Sequence, residues 1–191
     1  MTGCGVLYLI VCGSPLAHRV GTLVKAAQAD GWEVCVVCTP DGRKFVDAGA
    51  LSRQTGHPVR SFYKNPGDPD MLPDADAMIV APATVNTVNK MAAGIADTLA
   101  LGLVIEGYGK GVPIVVLPYT NGAMAAWPSF RENIDRLRGW GIRVLFGPDV
   151  ITLHAPGQGA AEDRLDAFPW RLALSELAEL REQNAASQPG H

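Results

Sequence analysis

The sequence lacks the glycine-rich signatures by which many nucleotide-binding enzymes are recognised. No G-x-G-x-x-G fingerprint follows any of its apolar runs, so a dinucleotide site of the NAD type is not predicted. No glycine-lysine phosphate loop is present either, which argues against an NTPase. The N-terminal apolar run, residues 6–12, is too short to span a membrane, and no basic region precedes it as in a signal peptide. We therefore expect no membrane-spanning or export segment.

Charge and cysteine are both scarce. Charged residues make up 18% of the chain, the net charge is −3 and no basic run stands out, so a nucleic-acid surface is not predicted. A surface this lean in charge is typical of oligomer subunits. The four cysteines lie between residues 4 and 38, and no histidine or second cysteine pair accompanies Cys35 and Cys38 at the spacing of a zinc site. They predict small buried side chains in a cytoplasmic protein without a metal site.

The pattern of apolar runs predicts one α/β domain over residues 1–183, with residues 184–191 as a disordered tail. The predicted strands cover residues 6–12, 33–38, 57–63, 77–81, 113–117 and 143–146. The predicted helices cover a segment around residues 20–27 and residues 45–51, 88–101, 128–140 and 171–183. Strands that alternate with helices favour a Rossmann-like (flavodoxin-like) fold, an open and mostly parallel sheet with helices on both faces.

Polar residues collect where the predicted strands end. Three loops, at Gly13-Ser14, residues 83–87 and residues 118–122, should line one edge of a parallel sheet, where such folds bind ligands. Gly13 allows close approach of backbone, and Ser14 either caps the following helix or binds a phosphate. The second loop offers hydroxyls, an amide and the N–H groups of a helix N-terminus, which suit an anionic or heteroaromatic ligand.

The second of these loops carries a resemblance to a known family. Residues 81–87, A-P-A-T-V-N-T, and residues 90–97, K-M-A-A-G-I-A-D, closely resemble the signature of the homo-oligomeric flavin-containing cysteine decarboxylases. That family includes phosphopantothenoylcysteine decarboxylase of coenzyme A synthesis and the epidermin-type decarboxylases, which act on the C-terminal cysteine of a ribosomal peptide. Gly13-Ser14 and the L-P-Y-T-N stretch at residues 117–121 also match, so the resemblance covers about residues 5–150.

The resemblance implies a cofactor, an assembly and a set of site residues. FMN would lie between subunits of a homotrimer or of a homododecamer built from trimers. Asn121 would hold the substrate carboxylate, and Met124 would touch the substrate or, alternatively, pack in the core or at an interface. The residues implied for FMN near the phosphate or ring are Gly13, Ser14 and Thr39, and those implied at the flavin are Ala83, Thr84, Asn86 and Thr87.

The chemistry that the resemblance implies is an oxidative decarboxylation. The Cβ–S centre of a cysteine loses a hydride to the flavin and becomes a thioaldehyde, and CO₂ then leaves to give an enethiol. The substrate would be a cysteine-containing peptide or small molecule. The cofactor supplies the electron sink, and the protein supplies orientation and charge.

Two departures from the family pattern bear on the reaction. The family carries a catalytic histidine shortly before the central strand, where this sequence has Asp68. Asp68, its neighbour Asp70, and His18 in the first helix are the candidate replacements. The competing interpretations are solvated loop carboxylates and a structural or surface histidine. His57, further upstream beside Pro58, is interpreted as a surface loop residue.

The second departure concerns a late glycine-rich loop. The phosphopantothenoylcysteine enzymes carry a cysteine there that helps to reduce the enethiol, whereas residues 154–166 contain none. We therefore expect the reaction to stop at the enethiol, which favours the peptide-modifying branch, and residues 154–166 could close over the substrate as a lid. The coenzyme A enzyme and a flavin-binding protein without decarboxylase activity remain the alternatives.

Overall fold

A computed structural model describes residues 3–159 and 161–187. Its five strands pair in parallel in the order β2-β1-β3-β4-β5, which confirms the predicted Rossmann-like fold. Apolar side chains fill nearly every strand position, as expected for a sheet covered on both faces. The strands are β1 (Gly5–Val11), β2 (Trp32–Cys38), β3 (Ala77–Ala83), β4 (Ile114–Pro118) and β5 (Arg143–Val144).

Eight α-helices in the described residues cover the two faces of the sheet. They are α1 (Gly21–Ala29), α2 (Ala48–Thr55), α3 (Val85–Ala92), α4 (Leu99–Gly109), α5 (Gly122–Ala125), α6 (Pro128–Gly139), α7 (Glu162–Asp166) and α8 (Trp170–Ser187). Alternation along β1 sends Leu7 and Leu9 towards α1 and α8, and Tyr8 and Ile10 towards α3, α4 and α6. Two short 3₁₀ turns follow β1 and β2, at Pro15–Arg19 and Gly42–Lys44.

The strand predicted over residues 57–63 is not formed. Arg60 makes one isolated bridge to Val37, and the side chains of Phe62 and Tyr63 are 66% and 61% exposed. The aromatic residues had suggested a strand because they favour sheets, but that preference depends on a packed neighbour, which this edge does not provide. The sheet therefore ends at β2.

The single helix predicted over residues 88–101 is two helices. Gly94 adopts a left-handed φ of +70°, which ends α3, and the hydroxyl of Thr98 then caps α4 by accepting a hydrogen bond from the Leu101 N–H. An ion pair between Lys90 and Asp97 spans the break within the chain. The strand before these helices also continues past its predicted end, through Pro82 to Ala83.

Other boundaries differ from the prediction as well. Helix α2 begins at Ala48 rather than Phe45, because the Asp47 carboxylate caps it by accepting from the Ala50 N–H at 2.9 Å. Helix α8 continues to Ser187, beyond the predicted end at residue 183, and the rest of the predicted tail, residues 188–191, lies outside the described residues. None of the helices described is both long and apolar enough to cross a membrane.

Candidate functional site

The loops that follow β1, β2, β3 and β4 meet at one edge of the sheet. The Cys12 N–H donates to the Pro82 carbonyl at 3.2 Å, and the Tyr119 N–H donates to the Ala83 carbonyl at 2.9 Å. On the other side, the Thr39 N–H donates to the Val11 carbonyl at 2.9 Å. These bonds extend the sheet by a residue or two and hold the predicted loops side by side at its carboxyl edge.

Two glycines let the turn after β2 lie directly on the end of β1. A Cβ on Gly13 would come within 2.9 Å of the Asp41 Cβ, and a Cβ on Gly42 would overlap the Val11 carbonyl oxygen. The Thr39 hydroxyl oxygen accepts from the Gly42 N–H at 3.0 Å and fixes the turn. The two glycines thus allow the close approach of backbone that joins the ends of β1 and β2.

Ser14 is 3% exposed and caps the 3₁₀ turn that follows it. Its hydroxyl oxygen accepts from the Leu16 N–H at 3.2 Å. Capping uses the oxygen as an acceptor and leaves the hydroxyl hydrogen free to donate. The structure therefore shows the capping role, and the contact with FMN stays a prediction.

The loop between β3 and α3 presents the predicted hydroxyl and amide groups. The Thr84 hydroxyl caps α3 by accepting from the Thr87 N–H at 3.3 Å, and the two threonine hydroxyls lie 3.1 Å apart. Asn86 is exposed on the first turn of the helix. Ala83 is fully buried with its carbonyl bonded to Tyr119, so it supports the loop from behind, and its direct contact with the cofactor remains untested.

A buried thiol lies behind this loop. Cys12 has no exposed surface, and burial raises the pKa of its thiol against the smaller lowering effect of hydrogen bonds to the Thr87 side chain and the Thr84 backbone. The thiol is therefore neutral at ordinary pH and inaccessible as a nucleophile.

Asn121 lies at the end of β4 and caps the short helix α5. Its amide oxygen accepts from the Met124 N–H at 2.9 Å, which leaves its amide N–H₂ available to a ligand. Met124 is 49% exposed on the same turn. The neighbouring Thr120 hydroxyl is buried and has no hydrogen-bond partner among the described residues. The Thr120 hydroxyl and the Asn121 amide are thus two hydrogen-bond donors available to a ligand in the loop after β4.

The two predicted bases lie in different surroundings. His18 is exposed on the 3₁₀ turn after Ser14; its Nδ1 contacts the Pro15 carbonyl, and its Nε2 accepts from Arg19 at 3.3 Å. Asp68 is exposed in the connection before β3 and accepts from the Asn65 N–H at 3.0 Å. No contact described joins Asp68 to the loops at the sheet edge, and its catalytic role stays a prediction.

The remaining candidate base, Asp70, and the upstream His57 are engaged away from these loops. The carboxylate of Asp70 pairs with Lys64 at 2.6 Å, and the hydrogen bond from that ammonium lowers the carboxyl pKa. His57 pairs with Glu33 at 2.8 Å, near the start of β2 and therefore at the opposite edge of the sheet. That pairing agrees with the interpretation of His57 as a surface loop residue outside the site.

One histidine at this edge was not selected from the sequence. His154 is the first residue of the glycine-rich loop that was predicted as a possible lid; it is only 8% exposed and pairs with Asn121 in an isolated parallel bridge. Its ring lies 5.3 Å from the Tyr119 ring, and Tyr119 in turn donates to the Gly159 carbonyl at 2.7 Å. In the sequence, only the residue type could have pointed to His154, since imidazole is an ordinary proton acceptor near neutral pH.

Comparison with known proteins identifies the family. A family model described as "Flavoprotein" matches residues 5–166, most of the chain. The chain belongs to the flavoprotein family. Phosphopantothenoylcysteine decarboxylase from Mus musculus is 31% identical to this flavoprotein over 138 residues, which is 69% of the chain and 67% of the mouse protein.

Two further relatives extend the comparison. The coenzyme A biosynthesis bifunctional protein from Thermococcus kodakarensis is 29% identical over 146 residues, 73% of this chain. The flavoprotein spans only 36% of that relative's length. The solved structure of the epidermin biosynthesis protein from Staphylococcus aureus has a TM-score of 0.59 and 29% identity, and the match covers 73% of this chain and 81% of that one.

The residues at the sheet edge fit a flavin. Gly13 and Gly42 let the turn after β2 pack closely on the end of β1, and helix α3 presents its N-terminus beside Thr84. The unpaired Thr120 hydroxyl and the Asn121 amide add donors for ring carbonyls or a carboxylate. No cluster of metal-ligating side chains is found within residues 3–159 and 161–187.

Proposed function

We propose that this flavoprotein is an FMN-dependent oxidative decarboxylase that converts the C-terminal cysteine of a ribosomally made peptide into an enethiol. The observation that carries the proposal is the convergence of Ser14, Thr84 and Asn121 at one sheet edge in a chain of this family. Their hydroxyl and amide groups suit a flavin and a carboxylate side by side.

The residues that would hold FMN come from three loops. Gly13, Ser14 and Thr39 would bind the phosphate or the edge of the ring, and Thr84, Asn86 and Thr87 would contact the flavin. When bound, FMN supplies a two-electron oxidant for the Cβ–S centre of the substrate. The chain itself supplies orientation, and Thr84 and Thr87 are held for that task by their mutual contact at 3.1 Å.

Asn121 would bind the substrate carboxylate. Its amide oxygen is committed to the Met124 N–H, so the amide N–H₂ is the group that faces an incoming acceptor. A neutral donor fits a carboxylate that must leave as CO₂, because a cationic partner would stabilise the charge that the reaction removes. Met124, half-exposed beside it, would contact the cysteine side chain.

The expected product is the enethiol. Reduction to a saturated thiol would need a reactive thiol at the site, and residues 154–166 contain no cysteine. Cys12 is fully buried, Cys35 and Cys38 are buried within β2, and Cys4 precedes β1 at the opposite edge. This favours the peptide-modifying activity over the coenzyme A activity. The second candidate, decarboxylation of phosphopantothenoylcysteine, is favoured by the identity with the mouse enzyme.

Mass spectrometry tests the proposal. The purified flavoprotein, with FMN content measured by absorbance, is incubated with peptides that end in cysteine and with matched peptides that end in serine. We expect only the cysteine peptides to lose the mass of CO₂ and two hydrogen atoms. Turnover of phosphopantothenoylcysteine alone would support the second candidate. Bound FMN with no reaction on either substrate class would identify a non-catalytic flavin-binding subunit.

We further propose a homotrimer or a homododecamer in the cytoplasm, with FMN between subunits. Several large apolar side chains are exposed in the single chain and would find partners in an assembly: Ile95, Tyr108, Trp127 and Trp140. Light scattering of the purified protein gives the mass directly, and a monomer that retains FMN would contradict this proposal.

A further inference from the structure

His154 lies on the same face of the chain as Asn121. The two residues pair in a parallel bridge, and the His154 carbonyl accepts from the Gly122 N–H at 2.9 Å. Paired residues of a bridge, and residues two apart along a strand, direct their side chains to one face. The contact of 5.3 Å between the rings of His154 and Tyr119, which is two residues before Asn121, agrees with this placement.

The hydrogen bonding of the ring fixes its tautomer. Nδ1 lies 2.9 Å from the Ala155 carbonyl oxygen, which can only accept, so Nδ1 carries the hydrogen. In the neutral ring, Nε2 is then the unprotonated acceptor. No other hydrogen bond to this ring is found within the described part of the chain. Gly159 lies beside Nε2, since a Cβ there would come within 3.0 Å of it.

A cavity adjoins the residues that flank His154. Its volume is about 450 Å³, and its lining includes Tyr119, Leu153, Ala155 and Phe168. The charged groups that face it, Asp163 and Arg164, are of opposite sign and come from helix α7. The cavity is lined by both polar and apolar side chains, and one of them is Tyr119, whose ring lies 5.3 Å from the His154 ring.

The other two histidines of the described residues do not offer a free acceptor at this edge. Both ring nitrogens of His18 are engaged, with the Pro15 carbonyl and with Arg19. His57 is paired with Glu33 at the opposite edge. His154 is therefore the histidine that combines burial, a fixed tautomer, an unpaired acceptor and proximity to Asn121.

We propose that His154 is the proton acceptor for the substrate thiol, an inference that rests on the proposed function. The S–H bond breaks and an Nε2–H bond forms, which leaves a thiolate beside an imidazolium. The Cβ–S centre then loses a hydride, and with it two electrons, to the flavin that the proposed function requires. As CO₂ leaves, its bonding electron pair moves to sulfur, and the proton returns from Nε2 to give the enethiol.

The first test needs neither cofactor nor substrate. Nitrogen NMR of imidazole-labelled protein, with His154 assigned by comparison with the His154→Gln variant, reports which ring nitrogen carries the hydrogen. We expect the Nδ1–H tautomer at a pH where the ring is neutral. An Nε2–H tautomer would overturn the proposal, whatever the enzyme's substrate proves to be.

The second test separates a base from a structural histidine. His154→Asn keeps a donor for the Ala155 carbonyl but removes the acceptor at Nε2, and His57→Asn serves as the matched control at the opposite edge. We expect His154→Asn to lower kcat by about 100-fold or more, with FMN content and Tm near wild type. Added imidazole should restore part of the rate.

Other outcomes are equally decisive. Wild-type turnover in His154→Asn would show that the ring only packs against Tyr119. A loss of rate that accompanies loss of FMN, and that saturating FMN reverses, would show the same. A wild-type protein that is inactive on every cysteine substrate would refute the proposed function instead, and the NMR tautomer would then still decide whether His154 is arranged as an acceptor.

Discussion

The hydroxyl of Tyr119 donates to the carbonyl of Gly159 at 2.7 Å and ties the late glycine-rich segment to the end of β4. The Tyr119 ring also packs edge-on against Phe168, and burial raises the pKa of its hydroxyl, so that the group stays protonated and can donate. The glycine-rich segment after His154 is therefore held against the end of β4.

Removal of this hydroxyl should loosen the segment. We expect Tyr119→Phe to lower the free energy of unfolding by about 1 kcal/mol, to speed hydrogen exchange over residues 154–159 and to raise KM for a cysteine peptide more than it lowers kcat. Tyr108→Phe is the control, because it removes a similar hydrogen bond, to the Trp140 carbonyl at 3.1 Å, on helix α4. Equal KM values for the two variants would show that the bond has no part in substrate binding.

Two threonines of this chain allow helix capping to be separated from cofactor binding. Thr84 caps α3 and Thr98 caps α4, each by accepting a backbone N–H at 3.3 Å. Substitution of either by alanine should cost about 1 kcal/mol of stability in urea unfolding. Only Thr84→Ala should also weaken FMN binding, measured by fluorescence titration. The same FMN affinity in both variants would remove Thr84 from the cofactor site.

The carboxyl edge of the sheet could be predicted because it depends on local patterns. Ser14, Thr84 and Asn121 each follow a short apolar run, and parallel strands place all their carboxyl ends at one edge. The sequence alone therefore sufficed to bring these residues together. The same logic predicted an open, mostly parallel sheet but did not predict the order of its strands.

The rest depended on long-range contacts that local patterns do not encode. The bridge between His154 and Asn121 joins two loops that are far apart in the sequence, and no periodic pattern of residues predicts it. Phe62 and Tyr63 have the composition of a strand but no surface to pack against. The left-handed turn at Gly94 lies within an otherwise continuous helical pattern, so the break there was missed.

The close packing of the turn at Gly42 on β1 can be tested by adding one methyl group. Gly42→Ala should displace the turn after β2, because the new Cβ would overlap the Val11 carbonyl. Since Thr39 and the neighbouring end of β1 are predicted to contact FMN, this displacement should weaken FMN binding by about tenfold or more. Gly139→Ala, in helix α6 with open space around it, should leave binding unchanged and raise stability by up to about 1 kcal/mol. FMN binding at wild-type strength in Gly42→Ala would show that the position of this turn does not matter for FMN.

The thiol of Cys38, at the end of β2, makes stability depend on alkaline pH. The side chain is fully buried, and burial raises its pKa from 9.0 to about 12. Because the folded chain holds this proton more tightly than the unfolded chain, its contribution to stability is complete below pH 9 and is lost as pH rises towards 12. We expect the free energy of unfolding in urea to fall over that range and to fall less steeply in Cys38→Ala.

Val36→Ala removes packing from the same strand without an ionisable group, so it should lower stability at neutral pH but keep the wild-type pH slope. A slope in Cys38→Ala equal to that in Val36→Ala would mean that the Cys38 thiol does not contribute.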